Sequence, residues 1–115
     1  MSLEVQITEV NIYLSINIIL QYKLNDLIDL LDRATNEANK RGYRKVLLDL
    51  KEVTGSVSLP DMLVLGEHCA RTWSRAFKIA VISREGGLDS FFENVACNRG
   101  LSLAVVSNQV GIVKC

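Results

Sequence analysis

The sequence is poor in most of the features that mark a specialised chain. Its thirteen basic and thirteen acidic residues cancel, so no whole-molecule field draws it to nucleic acid or to an anionic membrane. Cysteine is scarce: Cys69, Cys97 and Cys115 stand far apart with no close pair. That spacing argues against a zinc knuckle and a disulfide framework and fits a reducing cytosol. Long apolar runs are missing too. The nearest candidate, VNIYLSINIIL at 10–20, is broken by Asn11, Ser15 and Asn17 and is too short to span a bilayer. It lacks a basic leader and a small-residue cleavage site, so neither a signal peptide nor a transmembrane helix is read.

Enzyme signatures are thin as well. A nucleophile elbow needs Gly-x-Ser-x-Gly, and the chain offers GSVS with a single histidine, His68. Glu67 and Cys69 flank that histidine, but adjacent helical residues point in different directions and do not share a metal. His68 reads as an ordinary surface or half-buried helix residue. No enzymatic activity, metal or cofactor is expected. REGG at 84–87 lacks the lysine and spacing of a phosphate loop and reads as a flexible turn. The basic cluster Lys40, Arg41, Arg44 and Lys45 surrounds a helix stop, where cations favour the dipole's negative end.

What is present is 49% hydrophobic and 23% charged, the balance of one globular domain over residues 1–115. Leu3, Val5 and Ile7 alternate in one register and Val10, Ile12, Leu14, Ile16 and Ile18 in another. The phase change predicts either a hairpin bending near Thr8 to Asn11 or one long bulged strand. Leu24, Leu27, Ile28, Leu31, Ala34 and Ala38 then follow helical spacing, with Asn25 as N-cap and Gly42 as left-handed stop.

Beyond Gly42, apolar strands at 45–50, 77–82 and 101–106 alternate with helices over 60–74 and 88–99. Strands apolar on both faces predict a parallel sheet buried between helix layers. The second helix should bury Met62, Leu65 or Gly66, Cys69, Ala70 and Trp73, and the third Phe91 or Phe92, Val95 and Ala96 before stopping at Gly100. The closing NQVGIVKC predicts the start of a short fourth helix that the chain ends before completing. The fold class is therefore α/β: an N-terminal hairpin, then strand-helix units, giving a mixed sheet of about five strands with packed helices.

In such sheets the carboxyl ends of the strands gather loops and helix N-termini. That edge should collect Thr54, Ser56 and Ser58 with Ser83, Arg84 and Ser107, a patch of hydroxyls with one arginine. SLPD at 58–61 matches a capping box with proline in the first turn, and capping alone accounts for Ser58. The same helix start would also tolerate a phosphate on Ser58. Thr54 and Ser56 read as turn residues, and Asp49 as an acceptor for the loop amides of 54–56. Asn98, Arg99 and Gly100 form a polar knot at the opposite end of the sheet, read as structural.

VLLDLKEVTGSVS, preceded by alternating strands and a long helix and followed by FKIAVIS and LSLAVVS, resembles the STAS domain of sulfate transporters and anti-sigma factor antagonists over nearly the whole chain. Counting from Asp49 through Val53 puts Ser58 at that family's phospho-acceptor position, with Val57 where the family carries Asp and Leu59-Pro60 where a small residue and glycine follow. The likeness is closer to the SpoIIAA-like branch. It rests on Asp49, Leu50, Val53, Thr54 and Gly55; on Leu65, Gly66 and Glu67; and on Phe92, Val95, Ala96, Asn98, Arg99 and Gly100, with Asn94 departing. Members run a few residues further in an apolar helix tip. The branch shares its sandwich with lipid-carrying CRAL-TRIO modules.

The resemblance implies a non-catalytic cytoplasmic regulatory domain that binds a protein partner, such as a regulatory kinase or anti-sigma-type factor, through the strand-end surface. It leaves open a carrier of a small apolar or lipid-like ligand near Leu63, Trp73 and Phe91, an antagonist phosphorylated on Ser58, and a homodimer through the hairpin edge.

Overall fold

The computed structural model describes the backbone of residues 4–9 and the whole of residues 13–84 and 86–106. In chain order the elements are β1 (Glu4–Glu9), β2 (Leu14–Gln21), α1 (Leu24–Arg41), β3 (Lys45–Asp49), β4 (Val53–Thr54), α2 (Leu59–Thr72), β5 (Lys78–Ile82), α3 (Ser90–Asn98) and β6 (Ser102–Val106). β1 and β2 pair antiparallel from Glu4↔Ile19 to Glu9↔Leu14, which settles the phase change as a hairpin rather than one bulged strand. β1 continues through Glu9, and β2 begins at Leu14. Residues 10–12, and the fourth helix expected after Ser107, lie outside the described residues.

The sheet runs β1-β2-β3-β5-β6, and β2, β3, β5 and β6 are mutually parallel. β4, which periodicity missed, is two residues long and pairs with β2 beyond the end of β3. Each parallel connection steps to the next strand in the same direction. Right-handed crossovers that all step one way place their helices on one face of the sheet. The core agrees: Leu14, Ile16, Ile18, Val46, Leu48, Ile79, Val81 and Leu103 join α1, α2 and α3 in one cluster. Leu47 and Ile82, on the reverse face, are buried but stand outside it. The expectation of helix layers on both faces is thus corrected among the described residues. Strand order, which periodicity does not report, decided it.

Helix ends follow local chemistry. Gly42 is left-handed at φ 76°, and Tyr43 N–H reaches back to the Ala38 carbonyl at 3.1 Å, closing α1 as expected. Asn25 is not the cap. The helix starts at Leu24 after an extended Lys23 whose side chain caps nothing. α3 starts at Ser90 rather than 88, because Asp89 accepts from Phe91 N–H at 2.8 Å while Leu88 is drawn into the core. α2 and α3 bury Met62, Leu65, Gly66, Cys69, Phe92, Val95 and Ala96, while Phe91 faces solvent. No helix among the described residues is long and apolar enough to cross a membrane.

Candidate functional site

The carboxyl ends of β3, β5 and β6 share one edge of the sheet because the strands are parallel and in register: Asp49 pairs with Ile82 and Ile82 with Val106. The chain leaving β3 makes a turn, pairs briefly as β4 and enters α2. The chain leaving β5 turns back into α3 at Arg84–Gly87, where Gly87 N–H donates to the Arg84 carbonyl at 2.9 Å and Gly86 takes φ 82°. The two loops are tied together, since Val57 N–H donates to the Gly86 carbonyl at 2.9 Å.

Between them lies an open groove of about 850 Å³. Ser56, Leu59 and Met62 form one wall, Ser83, Arg84 and residues 86–90 the other, and Val105 and Val106 close the end. Beneath it is an apolar pocket of about 10 Å³ walled by Leu27, Leu50, Val53, Val57 and Leu88, large enough for roughly one water. The groove does not arise at a reversal of strand order, because this sheet has none. It is lined where the two strand-helix loops meet the end of β6.

Of the expected residues, the groove brings together Ser56, Ser83 and Arg84. Ser83 is not a surface hydroxyl: it is 4% exposed and its Oγ donates to the Arg84 carbonyl at 3.4 Å. Thr54 is on the same edge but off the groove, its carbonyl accepting from Tyr22 N–H at 2.8 Å. Ser58 caps α2, its Oγ accepting from Asp61 N–H at 3.3 Å. The box does not close reciprocally, because the Asp61 carboxylate accepts instead from the Tyr22 hydroxyl at 2.9 Å. Burial and that carboxylate hold the Tyr22 phenol well above its ordinary range. Ser107 lies outside the described residues.

Other expectations are revised. Asp49 does not hold the amides of 54–56. It accepts from Lys51 N–H at 3.1 Å and faces Lys51 Nζ at 3.7 Å, a local turn that the two-residue spacing favours. Leu63, Trp73 and Phe91 do not converge on a ligand space. Trp73 is 2% exposed with its ring edge-on to Phe77 at 5.0 Å, whereas Leu63 and Phe91 are exposed. Val57 is buried.

His68 Nε2 meets Asp32 Oδ1 at 2.6 Å, clasping α2 to α1. Arg99 bonds the Val95 carbonyl, as a helix end favours, and also reaches Glu67 at 2.6 Å. The buried Cys69 thiol is pushed up to about 12, by burial first and by the Asp32 charge second, so it stays protonated and unreactive at neutral pH. No group of three metal-ligating side chains occurs among the described residues.

Sequence reasoning missed the apolar half of the groove, Leu59, Met62, Leu88, Val105 and Val106. One signal was available in Leu59, a leucine directly after a helix cap and 58% exposed here. Fold and groove together define a small α/β domain with an open strand-end cleft. No family model matches the chain, and no curated protein matches it.

Proposed function

We propose that the chain is a non-catalytic cytoplasmic regulatory domain of the STAS type, nearest the SpoIIAA-like branch, that binds a protein partner through its strand-end rim. The observation that carries this reading is the groove. The chain between β3 and α2, the chain between β5 and α3, and the end of β6 build one open depression, with apolar walls from Leu59, Met62 and Val105 and a rim holding Ser56 and Arg84. An apolar centre with a polar rim is the composition of protein contacts. Arg84 is exposed and has no ion pair among the described residues, so an acidic group on a partner would find it free.

The test is recovery of binding partners on immobilised protein, with identification by mass spectrometry. Arg84→Ala and Leu59→Ser should each lower recovery several-fold. Thr54→Ala, off the groove, should leave it unchanged. Full recovery with both groove variants would end this reading.

A second reading is carriage of a small apolar or lipid-like ligand. It is favoured by the groove's size, which falls in the range of roughly 300–1,000 Å³ typical of small-molecule sites. Native mass spectrometry separates the two, since a carrier retains a non-covalent mass. Phosphorylation of Ser58 by a partner kinase is a third reading. It is supported by an exposed hydroxyl at the start of a 14-residue helix, where a phosphate meets free amides. Intact masses from native cells that show no added phosphate in any growth state would remove it.

A further inference from the structure

β6 is the edge of the sheet opposite β1, and no further strand pairs with it among the described residues. Its register with β5 decides which backbone groups point inward. Ser83 N–H donates to the Val106 carbonyl at 2.9 Å, with Val81 opposite Val105. In a parallel ladder the groups of Ser102, Ala104 and Val106 therefore serve β5, and those of Leu103 and Val105 point out of the sheet. Unpaired outward groups on an apolar strand are a template for another strand.

Here they are occupied by α3. Val105 N–H donates to Glu93 Oε2 at 3.0 Å, and the Cys97 thiol donates to the Leu103 carbonyl at 3.1 Å. Glu93 and Cys97 are four residues apart on one face of the helix, and the groups they take are two residues apart on the strand. A carbonyl at one position and an amide two further on form the pair that a single residue of a parallel neighbour would engage. The two side chains thus stand in for an added strand.

We propose that Glu93 and Cys97 form an edge guard that keeps β6 from pairing with β6 of a second copy of this chain. The edge itself selects that occupant. Two identical edges related by a two-fold axis run antiparallel and offer each other matching donors and acceptors, so no other sequence is needed. The guard's halves are unequal: a carboxylate is a strong acceptor and a thiol a weak donor, so Glu93 carries most of it. The guard acts on backbone groups on the outer side of β6, although Val105 also lines the groove.

Two measurements test it. Amide hydrogen exchange at Val105 in dilute protein should speed up more than tenfold in Glu93→Ala but stay near wild type in Glu93→Gln, which keeps an acceptor oxygen. Sedimentation equilibrium should show the double variant Glu93→Ala, Cys97→Ala self-associating at least tenfold more tightly than wild type. Equal exchange in Glu93→Ala and Glu93→Gln would overturn the guard. So would a folded double variant, judged by circular dichroism, that associates no more tightly than wild type. The exchange experiment on single variants stands even if the double variant does not fold.

Discussion

Ser58 fastens the start of α2 by one bond, from Asp61 N–H at 3.3 Å. Its replacement by alanine should cost about 1 kcal/mol, read as a lower urea midpoint. Ser58→Asp keeps a capping acceptor and should stay within about 0.5 kcal/mol of wild type. Any loss of partner in that variant would then report recognition rather than unfolding. An unchanged midpoint in Ser58→Ala would dismiss the cap. This bond was legible because donor and acceptor are three residues apart. The contacts from Tyr22 to Asp61 and from His68 to Asp32 span 39 and 36 residues and leave no trace in local spacing. Cys69 gives a residue-scale prediction in pH. Its folded value is raised to about 12 from 9.0, so above pH 9 the unfolded chain loses a proton that the folded chain keeps. Stability from this group is complete below about pH 9 and falls as pH rises toward 12. Urea midpoints should therefore decline over that interval. Cys69→Ala should flatten the decline until Tyr22, also raised by burial, begins to contribute above about pH 10. An equally steep decline in Cys69→Ala would refute the assignment.

Gly66 shows how an element's packing overrides its propensity. Alanine in a helix interior is ordinarily better than glycine by about 1 kcal/mol. At this position, however, a Cβ would lie 2.7 Å from Val95 Cγ1, 2.8 Å from Val95 Cβ and 3.3 Å from the Phe92 carbonyl oxygen. Val95 is β-branched and has little rotamer freedom on a helix, so the helices themselves would have to separate. Overpacking of this kind costs about 1–3 kcal/mol, which outweighs the propensity gain. Gly66→Ala should lower the thermal midpoint, and adding Val95→Ala should restore part of the loss. A rise in midpoint on Gly66→Ala would show that α2 and α3 are not that close. Helix existence and most buried positions were legible from the 3.6-residue period, and Gly42 and Gly100 marked the stops. The choice between Leu65 and Gly66 was not. Both are buried, one by its side chain and the other because it has none.

At the scale of the molecule, the alternation of strand and helix revealed the class, but the sequence pattern of β3, β5 and β6 overstated their enclosure. Runs such as VLL and AVI read as strands covered on both sides. Yet strand order places all three helices on one face among the described residues, and the same monotonic order removes the crevice that a reversal would have made. The strand-end edge was still the right place to look for a cleft, since parallel strands bring their outgoing loops together however the helices are layered. The hydroxyls foreseen there scattered into a cap, a strand, a buried position and a groove wall, because each loop's own hydrogen bonds decide where its side chains point. One-sided layering can be tested on neighbouring residues of a single strand. Ile18 is fully buried in the helix-facing cluster, and Ile19 is half-buried on the reverse face. Threonine keeps the branched shape that a strand favours, so Ile→Thr changes burial chemistry and little else. Ile18→Thr should cost about 2–4 kcal/mol through lost apolar contact and a buried hydroxyl, and Ile19→Thr less than about 1 kcal/mol. Denaturant titration of both variants under one set of conditions gives the comparison. Equal costs would mean that the reverse face is as enclosed as the helix face, and the one-sided architecture would have to be abandoned.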